Sequence, residues 1–142
     1  KANSDTDGRI INNMIDDYVA IHFNTISFKS MGQLKFLSAL QYIDALVGNS
    51  SSGLLEAPSF KIGTIDIGDR QKGRIKADNV INCLPEKMSI DAALKKLYSG
   101  DFKKIISTVK NPYESDNTSK KIVNIIKDID LSNILKKSFF DI

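Results

Sequence analysis

The sequence predicts an α/β fold with an open parallel sheet, and a ligand-binding edge formed by two loops. Segments with helical spacing of apolar residues alternate with short apolar runs along most of the chain. The run at residues 45–47 is continuous, as in strands that helices cover on both faces. Two loops rich in Gly, Ser or Arg, residues 48–53 and 68–74, each follow a predicted strand. Ligands bind at this end of the strands in open α/β sheets.

Length and composition indicate one soluble globular domain. The chain has 142 residues, of which 42% are hydrophobic and 26% charged, and its formal net charge is +3. Its lysines are spread in pairs along the second half, which argues against a clustered nucleic-acid-binding face. No membrane span or signal peptide is recognisable in the sequence. The single cysteine, Cys83, excludes an intramolecular disulfide and favours a reducing compartment, so we expect a cytoplasmic protein.

The first third of the chain predicts a helix, a strand and a second helix. The first helix is indicated by the spacing of its apolar residues: Ile11, Met14, Ile15, Tyr18 and Val19. No strand precedes this helix, so we expect the chain to be part of a longer protein. His22, the only histidine, has no further ligand at metal-binding spacing, and no metal site is expected. Residues 24–28 are β-branched and aromatic enough to predict a short strand.

A second helix is predicted over residues 33–42, after a loop at residues 29–32. Phe36 lies near the start of this helix, on the side of the loop. Two interpretations of Phe36 stay open from its position alone: an aromatic residue that fills the core, or one that faces a ligand at the loop. The strand predicted at residues 44–47 follows.

Residues 48–53, Gly-Asn-Ser-Ser-Ser-Gly, form a segment that we name the serine turn. A tight turn between a strand and a helix presents free backbone N–H groups to an anion, and small side chains allow a close approach. Glu56 lies in the following helix, where its carboxylate is placed to accept hydrogen bonds from a vicinal diol such as a ribose. The alternative is a structural turn in which Ser52 merely caps the helix. Pro58 predicts that this helix, over residues 53–60, is short or kinked.

Residues 68–74, Gly-Asp-Arg-Gln-Lys-Gly-Arg, follow a strand predicted at residues 64–67 and form what we name the arginine loop. Two of the three arginines of the chain, Arg70 and Arg74, lie in this loop. A planar guanidinium suits forked recognition of phosphate. The alternative is a solvated turn with salt bridges to Asp69 or Asp78. Neither a P-loop motif nor a standard dinucleotide fingerprint is present.

The second half predicts one further strand and a series of helices. The strand covers residues 79–83, and a helix capped by Ser89 runs up to Gly100. Further helices are predicted over residues 101–109 and 119–129, with a last amphipathic piece from residue 131 to the end.

The serine turn followed by Glu-Ala-Pro, together with the arginine loop, resembles the second half of the hydrolysing UDP-N-acetylglucosamine 2-epimerases. The bacterial sialic-acid-pathway branch is the most similar, including residues 5–9 and the closing residues 139–142. The resemblance runs along essentially the whole chain. It implies the Rossmann-like C-terminal domain of a two-domain GT-B fold over residues 1–142, with the N-terminal domain absent and residues 131–142 as a crossover helix.

The resemblance also implies a UDP-binding site. Ser50 and Ser51 correspond to the turn that contacts the phosphates of UDP, and Glu56 to the glutamate that takes the ribose hydroxyls. Phe36 corresponds to the aromatic residue packed on uracil. Loop residue Met31 lies where the base is contacted through the backbone. Arg70 corresponds to the first arginine of the family's Arg-Gln-x-Gly-Arg motif, which lies near the nucleotide, and Arg74 completes this motif.

The chemistry implied by the resemblance is anti elimination of UDP from UDP-N-acetylglucosamine, followed by hydration to N-acetylmannosamine. The acid and base carboxylates belong to the N-terminal domain, so the chain alone is expected to bind UDP and catalyse nothing. The expected partners are UDP or a UDP-sugar and the N-terminal domain, with no cofactor and no metal; a homo-oligomer of the parent enzyme is compatible with the resemblance. A glycosyltransferase half and a non-catalytic nucleotide-binding module stay open as alternatives, as does a diacetamido sugar as substrate.

Overall fold

The computed structural model describes residues 7–132. The chain divides into two compact units, of which the first ends at Pro112 and the second begins at Tyr113. The predicted N-terminal and C-terminal pieces, residues 1–6 and 133–142, lie outside the described residues, and so does most of the proposed crossover helix.

The first unit alternates helices and strands. Its helices are α1 (Gly8–Ile21), α2 (Gly32–Ala39), α3 (Ser52–Leu55), α4 (Lys87–Leu97) and α5 (Gly100–Thr108), with a 3-10 turn at Ala57–Phe60. Its strands are β1 (Ala45–Gly48), β2 (Gly63–Ile67) and β3 (Val80–Cys83). The described part of the second unit holds one helix, α6 (Thr118–Asp128), whose isoleucines and valine recur at helical spacing.

The three strands form one sheet in the order β1-β2-β3, and both pairs are parallel. Gly48 at the end of β1 pairs with Asp66 of β2, which in turn pairs with Asn82 of β3. The three strands therefore end at the same edge of the sheet. The prediction of an α/β fold with a parallel sheet is confirmed.

Apolar side chains cover the two faces of the sheet separately. Ile65, at the centre of β2, is fully buried and packs in a cluster with residues of β3, α4 and α5: Ile81, Ala93, Leu97 and Phe102. A second cluster contains Leu40, Ala57 and Ile62. Because side chains alternate along a strand, Thr64 and Asp66 lie on the face opposite Ile65. Asp66 lies two residues before Gly68, where the arginine loop begins.

Residues 24–28 do not form the predicted strand. Thr25 instead closes a turn at the end of α1, because its amide and its hydroxyl both donate to the carbonyl oxygen of His22, at 3.1 and 2.7 Å. Ile26 is 74% exposed. The β-branched composition was therefore insufficient, since a strand also needs a neighbouring strand to bond with. Among residues 7–132, β1 has no strand partner on its second edge.

The helix boundaries differ from the predictions at several places, and α2 ends at Ala39 instead of residue 42. α4 begins at Lys87, so Ser89 lies inside the helix, where its hydroxyl accepts a hydrogen bond from the amide of Leu84 rather than capping α4. The helix predicted after the serine turn breaks into α3 and the 3-10 turn, as expected from Pro58. Within the described part of the chain, no helix has both the length and the apolar character required to cross a membrane.

Candidate functional site

The serine turn and the arginine loop leave neighbouring strands at the same edge of the sheet. The serine turn begins at Gly48, the last residue of β1, and the arginine loop begins at Gly68, directly after β2. Both glycines have positive φ angles, of 148° and 82°, in a region that residues with a side chain rarely adopt. Glycine thus allows both loops to turn sharply as they leave the sheet.

A hydrogen bond joins the two loops directly. The side-chain nitrogen of Gln71 (Nε2), in the arginine loop, donates to the backbone carbonyl oxygen of Asn49, in the serine turn, at 2.7 Å. Gln71 is 3% exposed, although Arg70 and Lys72 on either side are exposed. The two segments predicted separately from the sequence are therefore in contact at this point.

Ser50 organises the serine turn and leaves backbone N–H groups available. Its hydroxyl accepts from the amide of Ser52 at 3.3 Å, and its carbonyl accepts from the amide of Gly53 at 3.3 Å. The interpretation of Ser52 as a cap is wrong, because α3 begins at Ser52 and Ser51 is the preceding residue, with no side-chain capping bond. No acceptor for the amides of Ser50 and Ser51 lies within residues 7–132. These amides are suited to contact an anion.

Glu56 lies directly after α3, and its amide donates to the carbonyl oxygen of Ser52 at 3.1 Å. The side chain is half-buried, and its Oε2 atom is buried with no hydrogen-bond partner among the described residues. A buried carboxylate oxygen without a donor is costly. The hydroxyl groups of a bound ligand are a suitable source of such a donor.

Arg70 and Arg74 are exposed, and neither forms an ion pair within residues 7–132. The salt bridges to Asp69 or Asp78 that would make this loop a purely structural turn are therefore not formed in this part of the chain. Both guanidinium groups keep their forked donors available to a ligand.

Phe36 and Met31 line one open groove of about 680 Å³, together with α1 and the loop before α2. Phe36 also lines a smaller cavity of about 80 Å³, whose wall includes Gly48, Ser50 and Thr64. The same ring packs against the cluster around Leu40. Phe36 therefore packs against the core and also borders the serine turn, and its contact with a ligand stays a prediction.

Sequence reasoning missed a buried ion pair behind the arginine loop. Asp66 is 1% exposed, and its Oδ2 atom lies 2.7 Å from the Nζ atom of Lys76, which also donates to the side chain of Asn82. Burial raises the pKa of the nearby Cys83 thiol, and the Asp66 carboxylate raises that pKa further. The signal that was available was a charged residue inside the apolar strand β2.

An open parallel sheet with Gly-, Ser- and Arg-rich loops at its carboxyl edge defines the class of α/β domains that bind ligands at this edge. Within this class, the chain belongs to the UDP-N-acetylglucosamine 2-epimerase family, whose model matches residues 1–127. This membership confirms the resemblance inferred from the two loops.

Three curated relatives are similar over nearly the whole chain. A Campylobacter jejuni protein named GDP/UDP-N,N'-diacetylbacillosamine 2-epimerase (hydrolyzing) is 39% identical over 100% of the chain and 37% of its own length. The Escherichia coli polysialic acid biosynthesis protein P7 is 37% identical over 99% of the chain and 36% of its own length. A Legionella pneumophila protein named UDP-N,N'-diacetylbacillosamine 2-epimerase (hydrolyzing) is 35% identical over 95% of the chain and 35% of its own length. The chain therefore spans little more than a third of the length of these relatives.

Proposed function

We propose that this chain is the UDP-binding part of a hydrolysing UDP-N-acetylglucosamine 2-epimerase. The proposal is supported most by the hydrogen bond between Gln71 and Asn49, because it holds the serine turn and the arginine loop at one edge of the sheet. The backbone amides of the first loop and the guanidinium groups of the second are complementary to the two phosphate groups of one diphosphate.

Each of the other site residues contacts a different part of the nucleotide. Glu56 accepts hydrogen bonds from the ribose hydroxyls, which supplies the donor that its buried Oε2 atom lacks. Phe36 stacks on the uracil, and the loop at Met31 contacts the edge of the base through its backbone. Ser50 and Ser51 contact the phosphates, close to the cavity that Phe36 and Ser50 share.

In the parent enzyme, this part of the protein stabilises the leaving group. Elimination breaks the bond between the sugar and the diphosphate, so negative charge accumulates on UDP as it departs. Arg70 and Arg74 are positioned to stabilise that charge, and preorganised donors are most effective where charge develops. The acid and base carboxylates, and hence the chemical step, belong to the N-terminal domain. The chain alone is therefore proposed to bind UDP without turnover.

The relatives favour an epimerase over a glycosyltransferase or a non-catalytic module, because two of the three are named as hydrolysing 2-epimerases. The parent enzyme acts on a UDP-sugar that carries N-acetylglucosamine or a diacetamido sugar. The proposed UDP contacts are the same for both sugars, since they involve only the nucleotide.

Calorimetric titration of the chain with UDP tests the proposal. Stacking contributes about 1–3 kcal/mol, and each charge-assisted contact about 1.5–3 kcal/mol. The loss of translational freedom offsets several kcal/mol of this sum, so we expect micromolar to millimolar affinity for UDP. Glu56→Ala should weaken the binding of UDP, because the ribose hydroxyls lose the carboxylate that accepts their hydrogen bonds. Equal binding of UDP by the variant and the unmodified chain would overturn the assignment of Glu56.

A further inference from the structure

The arginine loop has one buried side chain, and this side chain belongs to neither arginine. Over residues 68–74, the loop is exposed or half-buried except at Gln71, which is 3% exposed. A polar residue at the centre of a surface loop is usually solvated. The burial of Gln71 therefore requires a specific role.

The orientation of the Gln71 amide follows from chemistry. The carbonyl oxygen of Asn49 can only accept a hydrogen bond, so the nitrogen of the Gln71 side chain must face it, at 2.7 Å. The Oε1 atom then lies on the other side, where it is buried without a partner among residues 7–132. An apolar side chain of similar size would avoid the cost of this unpaired acceptor. Stability alone therefore does not account for a glutamine at this position.

The backbone of the arginine loop folds around Gln71. The amide of Arg74 donates to the carbonyl oxygen of Gln71 at 3.3 Å, and the amide of Lys72 donates to that of Asp69 at 2.8 Å. Arg70 immediately precedes Gln71 in the chain. The side chains of the two arginines form no ion pair within residues 7–132. The position of each guanidinium group therefore depends on the backbone from which its side chain extends.

We infer that Gln71 is a positioning residue: by bonding to Asn49, it holds Arg70 and Arg74 in register with the serine turn, so that both loops contact one diphosphate. The inference rests on the proposed function. It adds that the hydrogen bond from Gln71 to Asn49 joins the two loops into one binding site. Gln71 acts through the arginines, and it does not itself need to touch the nucleotide.

A double-mutant cycle tests the inference. Gln71→Met removes the donor and keeps the length of the side chain, and Arg70→Ala removes the charge. Each single variant should raise the Kd for UDP about tenfold, the loss of roughly one charge-assisted bond. The double variant should raise the Kd by clearly less than a hundredfold, because the part of the Gln71 effect that acts through Arg70 is already lost and only Arg74 is left to position. Gln41→Met, the same change at an exposed glutamine, is the matched control and should leave Kd unchanged.

A second measurement needs no nucleotide. Hydrogen exchange of the backbone amides should become faster in residues 49–53 and 68–74 of Gln71→Met, and stay unchanged in α4. If Gln71→Met fails to fold, Gln71→Glu replaces it. A protonated glutamic acid can donate to Asn49 and a carboxylate cannot, so protection of both loops should return at low pH, where the introduced carboxyl group is protonated.

Additive effects in the cycle, or unchanged exchange in both loops, would overturn the inference. Failure of the unmodified chain to bind UDP would overturn the proposed function, and with it the role of Gln71 toward a diphosphate. Normal UDP binding by both the unmodified chain and Gln71→Met would overturn the present inference alone.

Discussion

Thr64, buried in β2, holds Gly53 of the serine turn by two contacts at once. Its hydroxyl donates to the carbonyl oxygen of Gly53 at 3.0 Å. Its methyl carbon lies 2.3 Å from the position that a Cβ atom on Gly53 would occupy. The serine turn therefore rests on the middle strand with no room for a side chain at Gly53, which connects the shape of this turn to the core of the sheet.

Gly53→Ala should destabilise the fold. Overpacking against the buried Thr64 costs about 1–3 kcal/mol, and the gain in helix propensity of up to about 1 kcal/mol offsets part of it. We expect a lower free energy of unfolding in urea, partly restored in Gly53→Ala/Thr64→Ser, which removes the clashing methyl group. Gly100→Ala is the matched control, because nothing lies within 4 Å of the added atom, and it should not destabilise. Equal effects of both glycine substitutions would contradict the packing described for Gly53.

Lys76→Met should destabilise the protein by about 3 kcal/mol, because it leaves the buried Asp66 carboxylate without its partner. Adding Asp66→Asn to Lys76→Met should recover much of this loss, since the unpaired buried charge disappears. Urea unfolding measures both effects. Lys87→Met breaks the exposed pair with Asp91 and, as the control, should have no measurable effect. No recovery in the double variant would show that the charge of Asp66 is not the cause.

The reactivity of the single cysteine reports on the same carboxylate. Because burial and the negative charge of Asp66 both raise the pKa of the Cys83 thiol, iodoacetamide should alkylate the folded chain more slowly than the unfolded chain at mildly alkaline pH. Asp66→Asn removes the charge and should shift the midpoint of the rate against pH to a lower pH. The midpoint should stay above that of the unfolded chain, because burial is the larger cause. An unchanged or higher midpoint would contradict the effect of Asp66.

Phe36→Leu should weaken UDP binding more than it weakens the fold. Leucine keeps much of the packing against Leu40 but cannot stack on a base, so the Kd should rise roughly 5- to 150-fold. Phe60→Leu is the matched control: Phe60 packs against the same cluster but lines neither the groove nor the cavity beside the serine turn. Thermal unfolding and UDP titration of both variants give the comparison. If the two substitutions raise the Kd equally, Phe36 has no special contact with the base.

Local patterns in the sequence were enough to predict the three strands of the sheet and the two loops at its edge. Apolar runs mark β1 and β2, and the glycines at 48 and 68 mark the points where the chain leaves them. The break after α3 was also predictable, since Pro58 has no amide hydrogen to continue a helix. Each of these features depends on neighbouring residues, which a sequence displays directly.

Pairings between distant residues were not predictable. The hydrogen bond from Gln71 to Asn49 spans 22 positions, and the pairing of Asp66 with Lys76 spans 10. Nothing in the local sequence distinguishes Gln71 from a solvated loop residue. The wrong strand prediction at residues 24–28 has the same origin, because composition cannot indicate whether a neighbouring strand is present to bond with.

The proposed function requires that the serine turn and the arginine loop bind one diphosphate together. Titration of the 15N-labelled chain with UDP, followed by NMR, tests it most directly. The amides of residues 50–53 and 70–74 should shift together and fit a single Kd, and uridine without phosphates should leave residues 70–74 unshifted. Shifts confined to one loop, or to the opposite edge of the sheet, would contradict the claim.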